Sequence, residues 1–486
     1  MRRKVAFYTL GCKVNQSESQ QMLDKFISRG WQAVEFHQAA DAYIINTCTV
    51  TQAADQKSRK MIRAAKRQNP AAVLAVTGCY AETGAAVLAA IEEVDLLIPN
   101  QDKEKTPELV EALLPEKAGE AAGGCPYPNL CPGKDPQPAV LKGLNRTRAT
   151  LKIQDGCRQF CTYCIIPYAR GGWQSLPEER ALAEAKDLAA RGVREIVLLG
   201  IHLGAYGWER GRRNGLAEIF ERLLEAYPQT RFRLGSLEPM EATAGLIRLI
   251  RDYPNACKHL HLPLQCGQDR ILRAMNRPYT TAEYRKKAEE VRSLIPDIAL
   301  TTDIMTGFPG ETEEDFQACC AFAREMAFSR IHVFAYSRRP GTPADAMAGQ
   351  LAKKIKEERS RRLIALGQEL QRDYVLSWRG RRQEVLAEEE IAPGIWSGHS
   401  DNYLDITFAA AGIPREENPE SREAAGQPWG GLRGDSLILE ESLRGKILPV
   451  TLTGEPGARE GSWAGQMLKR EALPNREKDD KIITEN

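Results

Sequence analysis

At 486 residues the chain is too long for one ordinary core and implies about two to four domains. Its 67 Lys and Arg against 65 Asp and Glu leave a net charge of +2, which excludes a globally basic coat protein and confines any nucleic-acid surface to a local patch. Twelve cysteines, with no N-terminal apolar leader and no apolar run long enough to span a bilayer, argue against a disulfide-stapled secreted module and against a membrane protein, and point to the reducing cytoplasm.

Residues 1–115 alternate strand and helix. Apolar strands at 5–10, 42–48, 72–79 and 96–98 are separated by helical stretches at 17–29, 51–68 and 82–93, the pattern of a parallel sheet covered on both faces. In such sheets ligands gather at the carboxyl ends of the strands. Cys12, Cys48 and Cys79, in LGCKVNQ, NTCTV and TGCYA, each stand just past a different strand, so they are expected to converge. Two readings remain open there: three packed core thiols, or a three-thiolate iron-sulfur site with one iron left open.

Residues 116–149 are rich in Pro and Gly and read as a linker; its Cys125 and Cys131 read as free thiols. Strand 150–154 then runs into Cys157, Cys161 and Cys164, spaced Cys-x-x-x-Cys-x-x-Cys. Three thiolates on one short loop can hold three corners of an iron-sulfur cube, leaving an open iron for a small-molecule ligand. A zinc completed by a distant His, or three unrelated thiols, are the alternatives. Strands at 150–154, 195–199, 230–235, 258–264, 298–304 and 330–336, with helices such as 177–191, 281–294 and 312–326 between them, predict a partial parallel barrel over 150–375, whose site forms where the strands end. A helix over 351–374, with Ile355, Leu363, Leu366, Leu370 and Tyr374 on its apolar face, leads out of it.

Short alternating segments split by glycines over 376–455 predict a small antiparallel β-barrel, OB-like in kind. Arg379, Arg381 and Arg382, with Trp396, His399 and Tyr403, offer charge and stacking surface for RNA. The stretch from about 410 to 433 reads as an insertion, and 456–486 as a disordered tail. The fold class is thus multidomain α/β: parallel α/β sheet domain, partial (β/α) barrel, small β-barrel.

The 157–164 loop resembles the signature of the radical S-adenosylmethionine (SAM) superfamily. LGCKVNQ, NTCTV and TGCYA ahead of it look like the methylthiotransferases, radical SAM enzymes with an auxiliary cluster, over roughly residues 1–455. The resemblance implies two 4Fe-4S clusters. Cys157, Cys161 and Cys164 would hold the catalytic one, whose open iron binds SAM and whose electron cleaves it to a 5'-deoxyadenosyl radical. Cys12, Cys48 and Cys79 would hold the other, which presents sulfur. It further implies that Tyr163, Gly200, Ser236 and Gln265 line the SAM pocket, and that the C-terminal barrel is a TRAM domain gripping tRNA through Arg379, Arg381 and Arg382. Cys266 departs from the family, where Ser is usual. Lys13-Val14-Asn15-Gln16 looks like the branch acting on threonylcarbamoyladenosine in the tRNA anticodon loop. The branches acting on isopentenyladenosine in tRNA or on a ribosomal-protein aspartate carry an acidic-serine pair a few residues on, and this chain has Ser17-Glu18-Ser19. A monomer supplied by an external donor such as flavodoxin or ferredoxin completes the expectation. The readings of another class are a non-catalytic iron-sulfur carrier or sensor and an RNA-binding module whose cysteines hold zinc.

Overall fold

The computed structural model describes residues 2–117, 147–410, 443–459 and 461–467. Cys125, Cys131, most of the expected linker, the 411–433 insertion and residues 468–486 lie outside the described residues.

The N-terminal domain runs β1 (Lys4–Thr9), α1 (Lys13–Ser28), β2 (Gln32–Val34), β3 (Ala42–Thr47), α2 (Gln52–Gln68), β4 (Val73–Gly78), α3 (Cys79–Thr83), α4 (Ala85–Ala89), β5 (Leu96–Leu97) and α5 (Thr106–Lys117). The sheet is parallel, in the order β2-β1-β3-β4-β5. Strands β3 and β4 are buried at every position, which is why they read as unbroken apolar runs. Alternate side chains feed two cores. Tyr43, Ile45, Leu74 and Val76 meet Ile62 of α2 on one face, and Ile44, Val73 and Ala75 meet Leu23 and Phe26 of α1 and Val110 of α5 on the other. Three features differ from the sequence reading: β2 and α5 are additional elements, and the helix expected over 82–93 is two short pieces divided at Gly84, where a Cβ would meet the Tyr80 ring at 2.2 Å.

The central domain continues with β6 (Arg148–Lys152), a two-stranded ribbon of β7 (Gln154–Asp155) and β8 (Gln174–Ser175) enclosing α6 (Ile166–Arg170), then α7 (Glu178–Ala190), β9 (Glu195–Leu199), α8 (Gly215–Ala226), β10 (Arg231–Leu234), α9 (Ala244–Asp252), β11 (His259–His261), α10 (Asp269–Ala274), α11 (Thr281–Leu294), β12 (Ala299–Thr306), α12 (Glu313–Met326) and β13 (Arg330–Ala335). The six parallel strands form the sheets β6-β9-β10 and β11-β12-β13. Parallel bridges Phe232–Ala256 and Ser236–His261 join them into one partial barrel. Helices α11 and α12 start on capping boxes, Thr280 with Glu283 and Thr312 with Asp315, so their first turns are fixed by local sequence. Helix α13 (Lys353–Ser377) packs on β13 through Leu363, Leu366 and Leu370, whereas Ile355, expected on that apolar face, is 40% exposed.

The C-terminal domain is a closed five-stranded barrel of β14 (Arg382–Ala392), β15 (Ile395–Ser400), β16 (Asp405–Ala409), β17 (Ile447–Pro456) and β18 (Trp463–Met467). The barrel is antiparallel as expected at four of its five pairings, and β16 and β18 pair in parallel. The expected disordered tail needs a correction: β18, which lies within it, closes the barrel. The barrel is clamped to the central domain by Arg231 and Arg233. Both pair with Glu195 (2.5 and 2.9 Å) and donate to the main-chain oxygens of His399 (2.7 Å), Ser400 (3.0 Å) and Asp401 (2.9 Å). Burial pushes the Glu195 carboxyl up, but Arg233, Arg231 and Arg148 outweigh it and hold it well below the usual carboxylate range. No described helix is long and apolar enough to cross a membrane.

Candidate active site

Cys12 caps α1 at its N-terminus, Cys48 follows β3, and Cys79 opens α3 directly after β4, so the adjacent strands β1, β3 and β4 deliver all three to one end of the sheet. Gly11 holds φ +99°, and a Cβ there would lie 2.8 Å from the Cys48 Cβ and 2.9 Å from its Sγ. Only glycine lets the Cys12 turn lie against Cys48. The Cys48 sulfur accepts from the Val50 N–H (3.5 Å) and the Cys79 sulfur from Nε of Arg170 (3.2 Å). Burial pushes the Cys48 thiol up to about 11. It also raises the Cys79 thiol, against the pull of Arg170 and Lys103.

The second triad sits on the loop after β7. Gly156 (φ +71°) packs so closely that a Cβ would meet the Gly172 oxygen at 1.9 Å. The loop is pinned by Cys157 N–H to Gly171 O (3.0 Å), Thr162 Oγ1 to Ala274 O (2.8 Å) and Asn276 Nδ2 to Phe160 O (3.1 Å). The Cys157 sulfur lies 3.5 Å from Nδ1 of His202 and accepts from the Gln159 N–H (3.3 Å); the Cys161 sulfur accepts from Nη1 of Arg277 (3.1 Å). Burial pushes the Cys164 thiol up to about 12. Behind these contacts Arg277 pairs with Glu238, and His202 Nε2 lies 2.5 Å from Glu241. Burial lowers the His202 pKa, but hydrogen bonds with Cys157 and Glu241 carry it up to about 10.

The two triads flank one domain junction. Helix α6, which begins two residues after Cys164, packs against α3, which begins at Cys79. Arg170 at the end of α6 reaches the Cys79 sulfur, Asn15 Oδ1 (2.7 Å), Glu18 Oε1 (2.8 Å) and Asp155 Oδ1 (3.0 Å). Glu18 also pairs with Lys103 and, at 2.8 Å, with Lys152. A second bridge joins Arg339 to Asp55 (2.7 Å) and to Thr49 Oγ1 (2.5 Å), next to Cys48. Buried charges survive only when paired, so this network holds the junction in one arrangement.

The other expected residues divide. Gly200, Ser236 and Gln265 stand just past β9, β10 and β11, and Tyr163 is half-buried against the barrel core. Gly200 lies against Gln154, whose Oε1 a Cβ would meet at 2.9 Å. Gln265 takes φ +64°, a strained conformation for a residue with a side chain. Cys266 is buried in the barrel core, and the N–H of the next residue, Gly267, donates to the Cys319 sulfur (3.1 Å). Of the three arginines expected to meet RNA, Arg379 is exposed, but Arg381 pairs with Asp297 (2.8 Å) and stacks on Trp378, and Arg382 pairs with Glu384 (2.6 Å). Trp396 and Tyr403 are not open stacking surfaces: Trp396 is a core residue of the barrel, and Tyr403 packs among Arg148, Arg233 and His259. Arg170, Glu18, Arg277, His202 and Glu241 also belong to the site, and no local signal marks them there, because in one dimension a buried charge looks like a surface charge.

The donor set fits iron-sulfur clusters. Each triad supplies three free thiols, one for each of three irons of a cube. N–H groups aimed at cysteine sulfurs are the contacts that tune such clusters, and burial holds the Cys48, Cys79, Cys161 and Cys164 thiols toward the protonated form until a metal displaces the proton.

Residues 4–99 match the Uncharacterized protein family UPF0004 and residues 151–323 the Radical SAM superfamily. The threonylcarbamoyladenosine tRNA methylthiotransferase MtaB of Bacillus subtilis (strain 168) is 38% identical over 83% of this chain and 90% of its own length. Its namesake in Aquifex aeolicus (strain VF5) is 36% identical over 83% and 96%. A tRNA-2-methylthio-N(6)-dimethylallyladenosine synthase of Methylacidiphilum infernorum (isolate V4) is 35% identical over 79% and 83%. Among solved structures, the radical SAM methyltransferase TsrM from Kitasatospora setae shares the fold, with a TM-score of 0.51 at 14% identity over 71% of this chain and 77% of that one. These families carry SAM and 4Fe-4S clusters as cofactors, and the two cysteine triads supply thiolates suited to holding the clusters. The chain belongs to the radical SAM tRNA methylthiotransferase family.

Proposed function

We propose that this enzyme transfers a methylthio group to carbon 2 of threonylcarbamoyladenosine beside the anticodon of tRNA. The observation that supports the reading is the α3–α6 contact with Arg170 across it, which sets the helix opening at Cys79 against the helix that begins two residues after Cys164. Cys157, Cys161 and Cys164 hold one cluster and Cys12, Cys48 and Cys79 the other; when bound, they and SAM supply the radical that activates the carbon–hydrogen bond and the sulfur that replaces it. Arg277 and the Gln159 N–H hold the Cys161 and Cys157 sulfurs in place, and Arg170 does so for Cys79. Tyr163, Gly200, Ser236 and Gln265 line the SAM pocket at the strand ends. An anticodon-loop base, already unpaired, enters at low unstacking cost.

The substrate assignment is supported by the relatives named for threonylcarbamoyladenosine and by Lys13-Val14-Asn15-Gln16. The sequence Ser17-Glu18-Ser19, which suggested the other branches, is wholly buried, with Glu18 bound to Arg170 and Lys103 and Ser19 accepting from Thr9, so it is engaged in the fold. The enzyme works as a cytoplasmic monomer reduced by a flavodoxin or ferredoxin. The test is anaerobic incubation with SAM, reductant and tRNAs carrying either threonylcarbamoyladenosine or isopentenyladenosine, followed by nucleoside mass spectrometry. Methylthiolation of the first alone is expected; methylthiolation of the second alone overturns the assignment.

A further inference from the structure

Helix α2 leaves the Cys48 loop carrying six cations, Lys57, Arg59, Lys60, Arg63, Lys66 and Arg67, against one carboxylate, Asp55, a net +5 in a chain whose total is +2. Asp55 is committed to Arg339 across the domain junction. Two of the cations serve the fold: Arg59 donates to the Tyr80 hydroxyl (2.7 Å), and Lys66 pairs with Asp95 (2.8 Å). Lys60 and Arg63 are exposed and have no hydrogen-bond or ion-pair partner among the described residues. Ser58, Ile62 and Ala65 face inward, and Gln52, Gln56, Lys60, Arg63 and Arg67 follow one another along the exposed side at helical spacing. The stripe holds amide and cationic donors and no carboxylate, the donor set that grips phosphate and ribose. It leads to the Cys48 loop, where Val50 is 52% exposed.

Arg381 and Arg382, by contrast, are matched by Asp297 and Glu384. Two unmatched cations, Lys60 and Arg63, on a stripe that ends beside the Cys48 loop call for a polyanion. We propose that the exposed face of α2 is the docking surface for the phosphate backbone of the anticodon arm, placing the arm so that its loop enters at the Cys48 side of the junction. This rests on the tRNA reading above. From Lys57 to Arg67 the helix rises about 15 Å, enough to follow several consecutive phosphates.

The test uses the full-length protein with its clusters loaded anaerobically, and an anticodon stem-loop carrying threonylcarbamoyladenosine. Affinity is measured by fluorescence anisotropy from about 50 to about 200 mM KCl. Each lost phosphate contact lowers the slope of log affinity against log salt by about 0.7–0.9. Lys60→Gln with Arg63→Gln should therefore flatten the slope by about 1.5 and weaken binding roughly thirtyfold near 0.1 M salt. Melting temperature and iron content, unchanged, establish that the variant is folded. A charge-matched control, Arg248→Gln with Lys286→Gln on α9 and α11, should keep the slope. Equal slope and affinity for the α2 variant and the parent overturn the proposal while leaving the tRNA reading intact, as does an equal loss in the control. A parent protein that does not bind the stem-loop overturns both. Binding to phosphatidylglycerol vesicles that disappears in the α2 variant while stem-loop binding stays would assign the stripe to a membrane surface and overturn it too.

Discussion

Replacing Arg170 with Met tests whether the junction tunes the auxiliary site as well as holding it. The guanidinium is buried and contacts Glu18 at 2.8 Å, Asp155 at 3.0 Å, Asn15 at 2.7 Å and the Cys79 sulfur at 3.2 Å. Removing one partner of a buried ion pair costs about 3–5 kcal/mol. Because Glu18 keeps Lys103 and Lys152, the lower end, about 3 kcal/mol, is expected. The N–H···S contact adds a separate effect. A hydrogen bond to a charged group contributes about 1.5–3 kcal/mol, and if half of that distinguishes the reduced from the oxidised cluster, the potential falls by about 30–65 mV at 59 mV per tenfold. The fall is toward negative values, since a positive donor favours the more negative, reduced form. The assay is an electron-paramagnetic-resonance redox titration in a Cys157, Cys161, Cys164 triple Ala background, where only the auxiliary cluster reports. Arg170→Lys, which keeps the charge, should recover part of the shift. A potential within about 10 mV of the parent would refute the tuning argument, even if stability falls.

Changing Cys157, Cys161 and Cys164 together to Ala should halve the iron of reconstituted protein, from about eight atoms to about four, and abolish 5'-deoxyadenosine formation; colorimetric iron analysis and chromatography read both. Glu195→Gln leaves Arg231 and Arg233 buried without a counter-charge and should destabilise the central domain by about 3–5 kcal/mol, seen as a melting temperature lower by roughly 10 °C. The same variant carries a pH signature. Because the folded Glu195 pKa is depressed, its contribution is present above the ordinary carboxylate range and is lost as pH falls through the folded value, so the gap between parent and variant should narrow on acidification below about pH 4.5. A gap that widens there contradicts the assignment.

How much of this was legible in the chain follows from which forces act locally. Cys12, Cys48, Cys79 and the 157–164 loop stand at strand ends, where parallel sheets collect function, and the six barrel strands are readable from their regular alternation with helical stretches rather than as apolar runs, since β6 and β13 are largely half-buried or exposed. Strand β2 is too short to show a period, and β18 pairs in parallel with β16, a non-local contact that local pattern does not encode. Arg170, Glu18 and Lys103 lie far apart in sequence and are charged, so nothing local marks them as interior. Arg381 and Arg382 read as charges offered to RNA, and the folded chain pairs the first with Asp297 and the second with Glu384 while leaving both exposed.

The claim that two separate thiolate sets divide the reaction is tested most directly by the Cys12, Cys48, Cys79 triple Ala variant in one anaerobic reaction with SAM, reductant and tRNA. The 157–164 site is untouched in that variant, so 5'-deoxyadenosine should still form, and methylthiolated nucleoside should be absent from the same tube. If the three residues were merely packed thiols, their loss would lower stability modestly and leave methylthiolation in place. Persistent methylthiolated nucleoside in that reaction would contradict the account.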